Sequence, residues 1–180
     1  MSDEVQAKIA AVWNSMEASW ESYGKIFADK ARANTGKVAV RTEHEQITYD
    51  QLDARVNRVG NALAALGVTR GDKVCVMLPN IPEFLYVWWG NAKLGGVTVP
   101  LNTALKGEGL AYIINYSDAE TLVLSQRYVP VLEEIQATLN HLKRIIVLGP
   151  DGQRAANLSK VVYDFFREFI FAPKCGPIIP

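Results

Sequence analysis

Short apolar segments alternate with helix-length segments through the middle of this 180-residue chain. The strand-like segments are residues 74–78, 97–100, 121–124 and 144–148, which are rich in valine, isoleucine and leucine and are flanked by turn residues. Between them, residues 84–94, 108–116 and 129–142 are typical of helices. Strands separated by helices of about 10–15 residues form βαβ units. The sequence therefore predicts an α/β fold, with a parallel-rich sheet flanked by helices.

The segment before this alternation carries a different pattern. Six apolar residues recur every three or four positions, which predicts one face of an amphipathic helix or helix pair packed on the body of the protein: Ile9, Trp13, Met16, Trp20, Tyr23 and Phe27. Residues 38–41 and 46–49 then predict a β-hairpin. A second helix follows, started by Thr48 or Asp50 and ended by Gly67. Its predicted apolar face comprises Leu52, Val56, Val59, Leu63 and Leu66.

These patterns divide the chain into three parts. Residues 1–34 are predicted to form an N-terminal helical segment, and residues 35–149 an α/β subdomain. Residues 150–180 form a divergent apolar tail, because the apolar run at 161–171 is interrupted by charges. Prolines at 173, 177 and 180 argue against a regular terminal element.

Charge and composition exclude several classes of protein. Nineteen basic residues balance nineteen acidic ones and are well mixed, so the sequence predicts no nucleic-acid partner. No stretch reaches the length of a transmembrane helix, which takes about 18 apolar residues or more. The acidic start, Met1 to Glu4, does not match a signal peptide. Together with Cys75, interpreted as a buried small hydrophobe, these features predict a cytoplasmic protein.

The common catalytic motifs are absent from the sequence. It contains no Gly-x-x-x-x-Gly-Lys-Ser/Thr loop, no Gly-x-Gly-x-x-Gly and no Gly-x-Ser-x-Gly. Gly107 and Gly109 are interpreted as a helix start, and the Trp88–Trp89 pair as core. His44 and His141 lie in polar surroundings that do not favour catalysis. No catalytic, cofactor-binding or metal-binding residue is therefore predicted.

Three blocks, in the right order and spacing, resemble the adenylate-forming superfamily. The first is Ile47-Thr48-Tyr49-Asp50-Gln51-Leu52 with the helix that follows, and the second is Gly71-Asp72-Lys73-Val74 with Leu78-Pro79-Asn80 and Pro82-Glu83-Phe84. The third runs from Ala92 to Asn102 and resembles the second core motif of the family. Its ending, Pro-Leu-Asn, favours the acyl-CoA ligase branch over peptide-synthetase domains. The resemblance covers residues 23–149 and implies the first N-terminal subdomain of acyl-CoA synthetases, in incomplete form.

The residues in these blocks are interpreted as scaffold: Thr48, Tyr49, Leu52, Gly95, Pro100 and Asn102. Gly95 and Gly96 let a helix end close to the next strand, and Pro100 ends a strand where no amide donor is needed. Asn102 is the residue of this set best placed near a ligand, because strand ends in open α/β sheets face binding crevices.

The resemblance also implies what a complete enzyme contains. The family uses ATP, Mg and CoA to turn a carboxylate into an acyl-adenylate and then an acyl-CoA. Its phosphate loop, acidic motifs and C-terminal lysine have no match in these 180 residues. Without them the electrostatic stabilisation of a phosphate-centred transition state has no source. The chain alone is therefore predicted to be inactive and to bind no cofactor, with a fatty or other hydrophobic carboxylate as substrate of the whole enzyme.

Two other interpretations remain open at this stage. The chain could be a non-catalytic assembly module or half of a split ligase, completed by a C-terminal fragment or by self-association through an exposed apolar surface. In that case Phe165, Phe166, Phe169 and Phe171 could cover the surface. The chain could also be an unrelated α/β domain with chance similarity, in which case the first two core blocks would lie apart from the sheet.

Overall fold

The chain folds into a hairpin and a larger sheet surrounded by helices. The computed structural model describes residues 4–8, 11, 22–149, 158–159 and 161–164. The helices are α1 (Tyr23–Ala33), α2 (Tyr49–Ala65), α3 (Pro82–Lys93), α4 (Gly107–Tyr116) and α5 (Val129–Ile135). The strands are β1 (Val38–Arg41), β2 (Gln46–Thr48), β3 (Lys73–Met77), β4 (Val97–Pro100), β5 (Thr121–Ser125), β6 (Arg144–Leu148) and β7 (Val161–Asp164). Residues 4–8 are also helical.

The larger sheet has five strands in the order β4-β3-β5-β6-β7, and every pair in it is parallel. Cys75 in β3 pairs with Leu122 in β5, which in turn pairs with Ile145 in β6. The predicted α/β fold with a parallel-rich sheet is thus confirmed. From β3 the chain first moves outward to β4, then returns to the other side of β3 and continues from β5 to β7.

Alternate residues of the central strands pack into two separate cores. Val74 and Val76 face one core together with α1, α2 and α3, whereas Cys75 and Met77 face the other with α4 and α5. Both sets are buried, which explains the uninterrupted apolar run in β3. Because the strand order reverses at β3, helices pack on both faces of the sheet.

The helix α2 begins where the first sequence block predicts. Thr48 is the residue before the helix, and its N–H donates to Gln51 Oε1 over 3.0 Å. The carboxylate of Asp50 accepts the N–H of Gly36 over 2.9 Å, which ties the helix to the turn after α1. This hydrogen bond lowers the pKa of Asp50 below its usual value. The first block is therefore packed beside the sheet, as the resemblance predicts.

The predicted N-terminal stripe is only partly confirmed. Ser22 Oγ accepts the N–H of Lys25, so α1 begins at Tyr23, and Tyr23 is 72% exposed. Gly24, Phe27 and Ala31 form the buried face instead. The predicted face was wrong at Tyr23 because a large aromatic was assumed to be buried. The other four stripe residues, Ile9, Trp13, Met16 and Trp20, lie outside the described residues.

The fourth helix of the alternating region is shorter than predicted. It was expected to span residues 129–142, but α5 ends at Ile135 and a single 3-10 turn, Gln136–Thr138, follows. Thr138 donates its hydroxyl to the carbonyl of Ile135. The side chain of Asn115 then binds both the Thr138 carbonyl and the Asn140 N–H. These side chains compete with the helical pattern and end the helix.

Two further expectations need correction. Trp89 stacks on Phe27, with ring centroids 4.8 Å apart, but its neighbour Trp88 is 37% exposed, so the pair is not core as a whole. No strand was predicted in the segment 161–171, yet Val161–Asp164 extends the sheet beside β6. The charged residues in this segment interrupt its apolar pattern, so the short parallel strand was not predicted. The three-part division of the chain stays a prediction.

Two glycines with positive φ differ in what surrounds them. Gly67 ends α2 with φ +87°, and a Cβ there would lie 3.1 Å from a guanidinium nitrogen of Arg144, whereas Gly71 has φ +88° and open space. We expect Gly71→Ala to lower the free energy of unfolding by about 1 kcal/mol because of its backbone conformation. Gly67→Ala should cost more, since Arg144 must also move. Urea denaturation of both variants measures the difference, and equal losses would contradict a role for Arg144.

Candidate functional site

The carboxyl ends of the parallel strands form the best candidate for a binding crevice. Ligands of open α/β sheets bind at this edge, where the strand order reverses. Here the reversal lies between β3 and β5. Asn80 follows β3, Asn102 follows β4, and Gln126 follows β5. The polar residues that could contact a ligand therefore come from three different strands at one edge.

Asn102 lies where the sequence places it, just past the end of β4. It is exposed, and its Oδ1 accepts the N–H of Ala104 over 2.9 Å, which closes a tight turn. The preceding residue, Leu101, is buried and donates its N–H to the Val76 carbonyl over 2.9 Å. The turn is thus anchored to β3, and among the described residues the amide nitrogen of Asn102 has no hydrogen-bond partner. It could donate to a ligand.

The ends of β5 and β6 are closely packed against each other. The side chain of Gln126 covers Gly149 so tightly that a Cβ at position 149 would lie 2.1 Å from Gln126 Oε1. A glycine is therefore required at the end of β6 unless Gln126 moves. Arg127 beside it is exposed, with its guanidinium 6.0 Å from the ring centroid of Tyr128. Gln126 and Arg127 were not predicted from the sequence, although polar residues directly after a buried strand are a usable signal.

This edge offers hydrogen-bonding amides and, at Arg127, an exposed cation. Such groups suit the binding of a polar or anionic ligand. Neither histidine lies there: His44 is in the β1–β2 loop, and His141 Nε2 is 3.7 Å from Asp118 Oδ1 beyond α5. Across the residues that the structure describes, no group of three potential metal ligands was found. The amides and the guanidinium described at this edge can bind and orient a ligand.

The thiol of Cys75 lies in the core and away from any crevice. Its side chain is completely buried, and its sulfur lies 3.4 Å from Ser117 Oγ. Burial raises the pKa of the Cys75 thiol. Its interpretation as a buried small hydrophobe is confirmed.

The block residues interpreted as scaffold occupy structural positions. Leu52 is buried in α2, Tyr49 is half-buried at its start, and Pro100 ends the edge strand β4. Gly95 has φ +74° after α3, where a Cβ would meet the side chain of Arg70. No helix of the described ranges has the length and apolar character needed to cross a bilayer. That none of these residues belongs to a catalytic or cofactor site stays a prediction.

Comparisons with known proteins agree with the fold and with the three blocks. The family model described as AMP-binding enzyme matches residues 27–165. Crotonobetaine/carnitine–CoA ligase of Salmonella paratyphi A is 33% identical over 138 residues, which are 75% of this chain and 26% of that protein. The same enzyme of Salmonella typhimurium is 33% identical over 134 residues, with 71% and 25% covered.

Solved structures show the same relationship. An anthranilate CoA ligase in complex with anthranoyl-AMP matches 88% of this chain and 29% of its own, with a TM-score of 0.77 and 26% identity. Coronafacic acid ligase from Pectobacterium brasiliense shares the fold with a TM-score of 0.78 at 19% identity, over 89% of this chain and 31% of its own.

The chain thus spans about a quarter of the length of the curated relatives it matches. Its match extends past Gly149 to residue 165, so the family resemblance continues into the segment where no match was expected. Chance similarity is excluded by the agreement of sequence, fold and block positions. The chain belongs to the AMP-binding enzyme family and corresponds to the N-terminal part of its acyl-CoA ligases.

Proposed function

We propose that this chain provides the N-terminal α/β part of an AMP-forming acyl-CoA ligase. The whole enzyme would use ATP, Mg and CoA to convert a carboxylate into an acyl-adenylate and then an acyl-CoA. The observation that carries this proposal is the five-stranded parallel sheet, which matches that of an anthranilate CoA ligase over 88% of the chain at 26% identity. A cytoplasmic location stays a prediction.

The proposed substrate is a fatty or other hydrophobic carboxylate. The similar proteins are named for crotonobetaine or carnitine, anthranilate and fatty acids, so a carboxylate is the feature their substrates share. The crevice at the strand ends supports binding, through the amides of Asn80 and Asn102 and the guanidinium of Arg127. These three side chains are polar and do not distinguish one acyl chain from another.

We further propose that the 180 residues do not catalyse adenylation alone. Stabilisation of charge on a transferring phosphoryl or adenylyl group requires a phosphate cradle and cations. The sequence contains no Ser/Thr/Gly-rich loop ending in Pro-Lys. Among the described residues at the strand ends, Arg127 supplies an exposed guanidinium. The missing groups would come from a C-terminal ligase fragment, either in the same polypeptide or as a separate chain.

Pyrophosphate exchange into ATP tests both parts of the proposal. The purified 180-residue chain, given Mg-ATP and a panel of aliphatic and aromatic carboxylic acids, should exchange no more label than the blank. A C-terminal ligase fragment added in trans should restore exchange if it completes the site. Exchange by the chain alone would overturn the proposed division of the enzyme. Failure of every complementary fragment to restore activity would count against the scaffold role.

A further inference from the structure

A groove between α4 and α5 lies on the outer side of the second core, on helices that follow β4 and β5. Its volume is about 480 Å³, and its lining comes from one helix start and one helix end: Gly107, Glu108, Ala111, Tyr112, Glu134, Ile135 and Thr138. Ligand pockets commonly have volumes of about 300–1,000 Å³. Ala111 and Ile135 give it an apolar floor. The groove is therefore large enough for a small ligand and partly apolar.

Tyr112 lines this groove, and its ring contacts that of Tyr116, which lies outside the lining. Tyr112 is 65% exposed and Tyr116 is 78% exposed, and their rings are stacked with centroids 5.6 Å apart. They lie four residues apart on one face of α4. The face of an aromatic ring is electronegative and attracts cations that are poorly hydrated. An exposed tyrosine pair beside an apolar floor favours a cationic ligand with apolar character.

Two carboxylates at the groove have the matching charge. Glu108 and Glu134 both line it and are exposed, and neither makes an ion pair or hydrogen bond within the part of the chain that the structure describes. By contrast, Glu45 is paired with Arg55, and Glu120 with Lys143 and Arg144. Lys106, the residue before α4, is not part of the groove lining. The charge of the groove lining is thus negative and uncompensated.

We propose that this groove binds a small organic ammonium ion that carries a short apolar chain. The cationic head lies near Glu108 and Glu134 and against the ring of Tyr112, and the apolar chain lies on Ala111 and Ile135. The groove lining contains none of the crevice residues Asn80, Asn102, Gln126 and Arg127. Binding here does not depend on the ligase activity proposed above.

Choline, its uncharged isostere 3,3-dimethylbutan-1-ol and hexyltrimethylammonium are the probes. Each is titrated into the ¹⁵N-labelled 180-residue chain, and amide chemical shifts are followed. Saturable shifts are expected in residues 107–112 and 134–138 for both cations. Hexyltrimethylammonium should bind about tenfold more tightly than choline, because each fully buried methylene contributes about fourfold in affinity and the groove covers only part of the chain. The isostere should bind with an affinity at least about fivefold lower than that of choline.

Variants separate this site from general adhesion. Glu108→Gln with Glu134→Gln should weaken choline binding about fivefold but leave the isostere unchanged. Tyr112→Ala should weaken the binding of both cations. Tyr23→Ala, at a similarly exposed tyrosine on α1, should leave their binding unchanged. Preserved spectra confirm that each variant is folded. Equal binding of choline and its isostere, shifts outside the groove, or no saturable shift with hexyltrimethylammonium would each overturn the proposal.

Discussion

Replacement of Asp53 by alanine is expected to lower the free energy of unfolding by about 3 kcal/mol. Asp53 lies in α2, and its Oδ1 accepts a hydrogen bond from Lys93 Nζ in α3 over 2.6 Å. The side chain of Lys93 is only 2% exposed. Removal of the carboxylate leaves an ammonium group buried without a counter-charge. Chemical denaturation of the purified chain measures the loss.

The carboxylate of Asp53 binds Asn57 as well as the lysine, which raises the expected loss. Lys93 Nζ also donates to Asn57 Oδ1 over 2.7 Å, and Asn57 Nδ2 donates to Asp53 Oδ2 over 3.0 Å. The three side chains form a closed network between two helices of the first core. The ammonium also lies 5.6 Å from the ring centroid of Phe27 in α1. A single substitution at Asp53 therefore disturbs the contact of α1, α2 and α3 together.

A second substitution distinguishes an unpaired charge from simple loss of packing. Asp53→Ala combined with Lys93→Met should recover about 2 kcal/mol, since methionine fills the space without a charge and can contact the ring of Phe27. Asp29→Ala serves as control, because the Lys25–Asp29 pair on α1 is exposed, and the denaturation midpoint should hardly change. A double variant as unstable as Asp53→Ala would show that charge burial is not the cause.

The sequence predicts the sheet well because its strands are continuous apolar runs. Val74 and Cys75 point to opposite cores, yet both are buried, so one run sufficed to predict a parallel strand with helices on both faces. The short strand Val161–Asp164 escaped prediction because charged neighbours break its pattern. The helix at Val129–Ile135 was predicted too long, since its end depends on Asn115, which is distant in sequence.

The candidate crevice was predictable in place but not in detail. Asn102 could be assigned to it because a polar residue after a strand faces the carboxyl edge of the sheet. The contact between Gln126 and Gly149 could not be predicted. It joins the ends of two strands, and only the strand order shows that these strands are neighbours. The Lys93–Asp53–Asn57 network could not be predicted either. A charged residue in an amphipathic helix is normally assigned to the solvent-exposed face, and the contact between these residues depends on how the two helices pack.

Gly90→Ala is expected to destabilise the protein by about 2 kcal/mol, even though alanine favours helices over glycine by about 1 kcal/mol. Gly90 lies in α3 where that helix crosses α2. A Cβ at this position would lie 2.9 Å from the Gly60 nitrogen and 3.1 Å from the Val56 carbonyl oxygen. Both are backbone atoms, so no side chain can rotate away and the two helices must separate. Chemical denaturation measures the loss.

The matched control for this prediction is Gly109→Ala in α4. A Cβ on Gly109 would have no neighbour within 4 Å, so only the helical preference of alanine acts and the variant should gain up to about 1 kcal/mol. The same substitution should thus have opposite signs in two helices of one protein. If Gly90→Ala also stabilises the chain, α2 and α3 do not approach as closely as the structure shows. A loss confined to Gly90 would show that the backbone contact between α2 and α3 makes glycine necessary at that position.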